Sequence, residues 1–360
     1  ASCLVGSEMC IRDSYGSVKR RDLIGAVDQV DSRQFAERSN PSVSRSLQGA
    51  IPNLNISMRD GKPSRAATID IRGTGSIGSG GGALVLIDGV EGDLETVNPQ
   101  DIASVSVLKD ASATAVYGVR AANGVVLVTT RKGIAQKATI DVKIESGISN
   151  LVNMPKLLDG ANYMRLYNEA YGSEFYSPEQ IRMTETHADP YLYPNVNWFD
   201  ELFTKFSTNS QVSVNVRGGG ERARYYVTAS YLRDNGNLYN NPDTDYNTNI
   251  NITRYNFRSN IDMSLTKTTT LSLEIGANMT DVHQPRPITS SNNFQSQASE
   301  LFSACYQQDP ITTPVRVPLG YNEFGEMQWG WGAPLSTSVG NPAERLFGSG
   351  SVSYTHLRAH

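Results

Sequence analysis

The stretch LVLIDGVEGDLETVNPQDIASVSVLKDASATAVYGVRAANGVVLVTTRKG, residues 84–133, decides the fold of the first part of this 360-residue chain. It opens with a fully apolar run that predicts a strand, and the Asp-Gly pair directly afterwards is a strong turn signal. Two more strands are predicted at 103–108 and 124–130, where β-branched residues accumulate. The small residues of 111–117 are compatible with a helix. We therefore expect a mixed α+β domain built from short elements.

After residue 133 the chain changes to an alternation of apolar and polar side chains. This alternation indicates strands that have one apolar and one polar face. It occurs in five segments, at 140–145, 212–217, 224–231, 257–265 and 271–278.

The connections between these segments are unequal in length. Short turns at 217–222 and 267–270 alternate with long connections at 150–205 and 235–253. This asymmetry is typical of an outer-membrane β-barrel, although a soluble β-sandwich alternates in the same way and the pattern alone leaves both open. Segment lengths nearer the ~9–11 residues of a membrane strand than the ~5–6 of a sandwich strand favour the barrel.

Three tyrosines lie near the ends of one alternating segment. They are Tyr225, Tyr226 and Tyr231. Because tyrosine is enriched where a membrane meets water, we interpret them as interface aromatics.

Composition and short motifs narrow the classes of function. The net charge of -4 argues against a nucleic-acid partner. The three cysteines form no C-x-x-C pair and the four histidines have no metal-ligand spacing, so no metal or cofactor is predicted. No nucleophile stands in the context of a catalytic triad or elbow, which predicts that the protein is not an enzyme. No stretch approaches the ~18–20 apolar residues of a membrane-spanning helix.

Residues 84–133 resemble the plug-domain signature of SusC/RagA-type TonB-linked outer-membrane proteins. That pattern runs from an apolar strand into I-D-G-V, then N-P-x-D-I, V-L-K-D-A-S-A-T-A-x-Y-G and A-N-G-V-x-x-V-T-T-x-x-G. The positions that carry the resemblance are Asp88, Gly89, Asn98, Pro99, Lys109, Asp110, Ala111, Tyr117, Gly118, Asn123 and Gly124.

The resemblance implies a fold class: an α+β plug domain at 15–135, followed at 136–350 by about the first five antiparallel β strands and loops of an incomplete transmembrane β-barrel. We expect 1–14 and 351–360 to be non-native tails, because both resemble translated sequencing-adaptor sequence. The plug would fill the barrel lumen through polar, hydrated contacts.

The resemblance also implies a function, namely active import of a nutrient through the outer membrane of a Gram-negative cell. The expected substrate is an oligosaccharide, or a peptide as in some family members. The expected partners are a SusD-like surface lipoprotein, the outer-membrane lipid and the TonB complex, whose binding segment would precede Tyr15. Two alternatives stay open: a siderophore or vitamin receptor of the wider TonB-dependent class, and a soluble β-rich binding or adhesion module.

Four further features invite sharper interpretations. The loop at 73–82 contains G-x-G-x-x-G, but a strand follows it where a nucleotide site needs a helix, so we interpret it as a flexible loop. Lys109 and Asp110 are interpreted as a local ion pair. Trp329 and Trp331 are candidate substrate-binding residues, since aromatic rings stack on sugars. A fourth feature, a small acidic cluster, is interpreted as a solvated loop and consists of Asp88, Glu91, Asp93 and Glu95.

Overall fold

The computed structural model describes residues 10–13, 16–19, 27–32, 42–52, 54–58, 67–71, 82–109, 114, 117–118, 121–240, 246–285, 297–331 and 351–359. Within these ranges the chain forms an N-terminal α+β domain and a sheet of long antiparallel strands, which we call the strand wall.

The N-terminal domain is built on a five-stranded sheet with the order β3-β8-β9-β6-β7. β6 and β9 are parallel and the other neighbours are antiparallel. Two small pairs of strands and one short helix accompany the sheet. The elements in chain order are β1 (Cys10–Asp13), β2 (Gly16–Lys19), β3 (Val27–Asp31), α1 (Val43–Leu47), β4 (Asn55–Ser57), β5 (Thr68–Asp70), β6 (Leu84–Ile87), β7 (Val90–Glu91), β8 (Ile102–Leu108) and β9 (Val125–Thr130).

The three strands expected within 84–133 are present as β6, β8 and β9. β9 is apolar and almost entirely buried, because it lies between β6 and β8 and both of its faces are covered. α1 packs with this sheet through a continuous core that includes Val43, Leu47, Val105 and Val126. Most of the helix-compatible stretch at 111–117 lies outside the described residues.

The strand wall is a six-stranded antiparallel sheet with the order β10-β11-β12-β13-β14-β17. Its first five strands are 13 to 16 residues long, which exceeds the lengths read from the sequence. The strands are β10 (Gln136–Asn150), β11 (Phe206–Gly219), β12 (Ala223–Asn235), β13 (Asn251–Ser264), β14 (Thr270–Pro285) and β17 (Ser351–Ala359).

β17 departs from the expectation for the end of the chain. Residues 351–359 pair with β14 from Ala277 to Pro285, although we expected 351–360 to be a tail outside the fold. β1, within the other expected tail, pairs with β2. Strand pairing does not depend on the origin of a segment, so the non-native origin of the two tails stays a prediction.

Short turns join the wall strands at one end and long connections join them at the other. The long connections contain α2 (Gly160–Tyr171), α3 (Pro178–Glu185), α4 (Trp198–Leu202), α5 (Gln297–Gln307), β15 (Arg316–Tyr321) and β16 (Met327–Trp331). Three of the connections share one hydrophobic cluster, formed by Trp198, Phe199, Leu202, Leu238, Ile250, Leu301 and Cys305. They therefore form one compact cap rather than separate loops.

The two faces of the strand wall differ in polarity. Cross-strand rows such as Ile144, Val212 and Tyr231 place apolar side chains on one face, and many of these side chains are exposed. The opposite face is polar and lies against the N-terminal domain. Across the described part of the chain, no helix has the length and apolar character needed to cross a bilayer.

Candidate functional site

The interface between the N-terminal domain and the strand wall carries a network of polar side-chain contacts. It is built by side chains from turns at the ends of β6, β8 and β9 and by inward-pointing side chains of β11 to β14. Since successive side chains of a strand point to opposite faces, only alternate residues of each wall strand reach it.

The first contact is made by the 3₁₀ turn Pro99–Asp101. Asn98 caps this turn by accepting a hydrogen bond from the backbone N–H of Gln100 at 3.0 Å, and Pro99 supplies a φ suited to the first position. The same Asn98 Oδ1 accepts a hydrogen bond from Gln211 Nε2 at 3.0 Å. Asp101 Oδ1 accepts one from Tyr226 Oη at 2.9 Å. We call this set of Asn98, Asp101, Gln211 and Tyr226 the turn contact.

All four residues of the turn contact are buried, and Asp101 and Tyr226 are only 2% and 1% exposed. Burial raises the pKa of Asp101 above its usual value. Hydrogen bonds from Tyr226 and Thr228 oppose that rise in pKa, as do the charges of Arg258 and Arg131. The strand wall thus supplies most of the groups that oppose the effect of burial on this pKa.

The second contact is centred on Asp88. Asp88 and Gly89 have φ values of 49° and 90°, which form the tight turn after β6. The Asp88 carboxylate accepts hydrogen bonds from the N–H and hydroxyl of Thr130 at 2.8 and 2.7 Å, and it forms an ion pair with Arg258 at 2.9 Å. We call Asp88, Thr130 and Arg258 the ionic contact. It joins β6 to β9 and both to β13.

Further polar contacts surround these two. Asn260 Nδ2 donates to Thr130 Oγ1 and to the Arg131 carbonyl, both at 2.8 Å. Lys132 forms an ion pair with Glu274, and its carbonyl accepts a hydrogen bond from Arg217 Nε at 2.9 Å. The interface is therefore held mainly by hydrogen bonds and ion pairs.

A cavity of about 60 Å³ lies beside the ionic contact. It opens between the β6–β7 turn and strands β13 and β14. Its lining is formed by Ile87, Asp88, Val90, Glu91, Gly92, Arg258, Glu274 and Gly276.

The structure places the remaining signature residues inside the N-terminal domain. Gly118 and Gly124 have φ values of 67° and 97°, and Gly124 lies so close to Ile71 that a Cβ would come within 2.7 Å of Ile71 Cδ1. Tyr117 packs against a small core cluster and Asn123 lies in the turn before β9. Asp110 and Ala111 lie outside the described residues.

Lys109 has partners besides the expected Asp110, which lies outside the described residues, so the local pair stays a prediction. It forms an ion pair with Asp28 of β3 and donates to the carbonyl of Pro52. The interpretation of a local pair with Asp110 missed these contacts, because Asp28 comes next to Lys109 only when β3 pairs with β8.

The interpretation of the acidic cluster as a solvated loop was wrong for two of its members. Asp88 pairs with Arg258, and Glu95 accepts a hydrogen bond from Ser42 at 2.8 Å while lying 4.0 Å from Arg254. Asp93 caps the 3₁₀ turn Leu94–Thr96. The partner cations stand on a strand far along the sequence, so local spacing does not reveal them.

Tyr226 was also interpreted wrongly. Tyr225 and Tyr231 are on the outward face of β12, whereas Tyr226 points inward and donates to Asp101. Four further residues face inward and were not predicted as contacts, namely Gln211, Arg258, Asn260 and Glu274. Their only signal in the sequence is that each is a polar residue of an alternating segment or lies next to one.

The other candidates lie away from this interface or outside the described residues. Trp329 is half exposed on β16, and Trp331 pairs in register with Arg316 of β15. The glycine loop lies outside the described residues apart from Gly82. In the parts of the chain that the structure describes, no group of three or more His, Cys, Asp and Glu side chains could hold a metal ion.

Residues 19–125 match the family model of the TonB-dependent Receptor Plug Domain. The chain is 33% identical to TonB-dependent receptor P3 of Formosa agariphila over 263 residues, which is 72% of this chain and 24% of the relative. It is 32% identical to TonB-dependent receptor SusC of Bacteroides thetaiotaomicron, over 62% of this chain and 22% of that protein.

A solved structure described as the RagAB peptide transporter has a similar fold. It matches with a TM-score of 0.59 and 27% identity, over 72% of this chain and 30% of the solved chain. The chain thus spans about a quarter of the length of TonB-dependent receptor P3 and of SusC, at 24% and 22%.

Proposed function

Because the chain belongs to the SusC/RagA type of TonB-dependent receptors, we propose that the protein that carries it imports a polar nutrient across the outer membrane. The N-terminal domain would act as the movable plug, and the strand wall would form part of the surrounding barrel.

The polarity of the plug–wall interface is the observation that carries this proposal. A permanent domain interface is expected to be largely apolar, since hydrophobic burial provides lasting stability. Here the contacts are hydrogen bonds and ion pairs, such as Asp88–Arg258 and Asp101–Tyr226. Water and a polar substrate offer replacement partners for these groups, so the interface is suited to repeated opening.

We propose an oligosaccharide as the substrate, with a peptide as the second candidate. The peptide candidate is supported by the RagAB structures, which are described as a peptide importer. Trp329 is proposed as a sugar-stacking residue, because its side chain is 49% exposed on a hairpin in the cap. The proposed partners are the TonB complex and a SusD-like lipoprotein; a siderophore or vitamin as substrate stays an untested alternative.

The test is energised uptake by cells that make the receptor carrying this chain. A fluorescent oligosaccharide and a fluorescent peptide of similar mass are supplied with and without a protonophore. Import requires accumulation that the protonophore abolishes, together with heat-modifiable gel migration of the receptor in outer-membrane fractions. Equal signals with and without the protonophore, or a receptor confined to soluble fractions, would contradict the proposal.

The Trp329→Ala and Trp331→Ala double variant tests the stacking residues. Lower oligosaccharide uptake with unchanged peptide uptake supports them, and Phe324→Ala on the same hairpin is the matched control. Unchanged oligosaccharide uptake in the double variant would remove both tryptophans as substrate contacts.

A further inference from the structure

The two contacts between the N-terminal domain and the strand wall differ in the number of charges that they bury. In the turn contact one carboxylate, Asp101, meets neutral donors, and every member is buried. In the ionic contact Asp88 meets the cation of Arg258, and a second ion pair, Lys132–Glu274, stands on the neighbouring strand with both side chains more than a quarter exposed. The Asp88 and Arg258 side chains themselves are 8% and 13% exposed, so the two contacts differ more in charge than in burial.

The cavity lies on one side only of this pair of contacts. Its walls include Asp88 and Arg258 of the ionic contact together with Glu274 and Gly276 of β14, and none of the turn-contact residues is among them. Asp88 and Arg258 both line this cavity, so water that enters it can hydrate the two charges as they separate. Hydration offsets part of the cost of parting a nearly buried ion pair, which is high where no water can follow.

The four residues of the turn contact are buried and do not line this cavity. Asn98 Oδ1 accepts two hydrogen bonds, one from the N–H of Gln100 within the turn and one from Gln211 on the wall. The same atom therefore stabilises the 3₁₀ turn and attaches it to the wall. Asp101 is buried under the wall and accepts a hydrogen bond from Tyr226. Separation here would leave buried polar groups without partners, which is the costlier event.

We propose that the N-terminal domain opens on one side: it stays attached to the strand wall at the turn contact and separates first at the ionic contact, so that substrate passes along β13 and β14. This inference rests on the proposed import function. The groups that line the passage, Asp88, Glu91, Arg258 and Glu274, would then contact a polar substrate through its hydroxyl or amide groups.

A row of inward-facing residues provides matched reporters. Thr228, Arg258 and Gly276 are register partners on β12, β13 and β14. Thr228 is buried beside Asp101, and Gly276 lines the cavity. A Cβ at Gly276 would lie 3.5 Å from Arg258 Nη2, which is an ordinary contact, so the backbone position accepts a side chain.

The experiment compares Gly276→Cys with Thr228→Cys in a cysteine-free form of the receptor that carries this chain. Cells importing the proposed substrate are treated with a small maleimide that does not cross membranes, and labelling rates are measured with and without a protonophore. Since the labelling rate follows the open population, we expect energised uptake to raise labelling of Gly276→Cys by about tenfold or more and that of Thr228→Cys by less than about twofold. Ser213→Cys, buried on the inward face of β11, is a second reporter in case Thr228→Cys disturbs Asp101.

Each outcome has a distinct meaning. Energised uptake with equal labelling of the β12 and β14 cysteines would overturn one-sided opening and leave the import function standing, and so would energised uptake in which neither cysteine gains reactivity. Absence of protonophore-sensitive uptake in the cysteine-free parent would instead contradict the proposed function itself.

Discussion

Removing one hydroxyl group, with the Tyr226→Phe variant, tests how strongly the turn contact holds the N-terminal domain. The phenol of Tyr226 donates at 2.9 Å to Asp101, which is 2% exposed. A buried acceptor that loses its donor suffers the full desolvation penalty, which is about 1–3 kcal/mol. Thr228 and the charges of Arg258 and Arg131 remain to stabilise Asp101, so we expect a loss near 1.5 kcal/mol, or about tenfold in the opening equilibrium.

Hydrogen–deuterium exchange of the receptor that carries this chain measures this loss locally. β8 begins at Ile102, directly after Asp101 of the turn contact. The exchange rates of its backbone amides therefore report the equilibrium for opening this part of the domain. Tyr226→Phe should raise those rates by about tenfold at pH 7, where exchange follows the opening equilibrium.

Tyr231→Phe is the control for this measurement. It makes the same chemical change on the same strand, but Tyr231 stands on the outward face and its ring pairs with Tyr255 at 5.3 Å. Its effect on β8 exchange should be negligible. If Tyr226→Phe leaves β8 exchange within about twofold of the parent, or if both variants raise it equally, the turn contact does not hold the domain.

Three further changes probe the domain, the pH response and the sheet edges. Gly124→Ala should destabilise the N-terminal domain by about 1–3 kcal/mol in urea unfolding, because the residue has a φ of +97° and its Cβ would conflict with Ile71. Gly118→Ala should cost less, because its φ is +67° and no atom lies within 4 Å of the added Cβ. Because the pKa of Asp101 is raised, the folded domain binds the proton of this carboxyl more tightly than the unfolded chain does. The stability of the parent relative to Asp101→Asn should therefore fall as the pH rises from 3.8 to the raised pKa. A stability difference that does not change with pH would contradict this. The chain expressed by itself should aggregate in water and need detergent, because β10 and β17 form the edges of its wall sheet, and a monodisperse product without detergent would count against the barrel interpretation.

Residues 84–133 predicted the family and the fold class correctly, and the reason is chemical. The turn after β6 needs positive φ at Asp88 and Gly89, and the backbone before β9 favours a glycine at 124 because φ there is 97°. Such constraints act within a single turn and favour particular residue types. They can therefore be read without knowing the tertiary structure.

The helices of the cap were also readable, although the sequence analysis did not identify them. Ser177 and Gln180 form a reciprocal capping box around Pro178, and Asp159 caps α2 by accepting from the N–H of Asn162. This pattern of Ser, Pro and Gln at the start of a helix is a recognised local signal. The description of residues 150–205 as a long insertion was correct in position but incomplete in structure.

The partners across the interface could not be predicted from one sequence. Arg258 is 170 residues from Asp88, and Tyr226 is 125 residues from Asp101. Nothing in the spacing of either pair fixes the strand register that brings them together. The alternation does limit the choice, because adjacent residues such as Tyr225 and Tyr226 point to opposite faces and cannot share one role.

The alternation of the sequence left a membrane barrel and a soluble sandwich open, and the face of the strand wall that is buried distinguishes them. A soluble sheet buries its apolar side chains and exposes its polar ones. Here the inward face is polar and buried, with Thr228 at 2% and Asn260 at 3% exposed, whereas Ile140 and Ile144 on the outward face are 68% and 74% exposed. Each such isoleucine gains about 1.5–3 kcal/mol on transfer to an apolar medium, so the outward face as a whole favours lipid over water. The same inversion explains the polar interface, because the side chains that face a barrel lumen are the ones available to hold and release a plug.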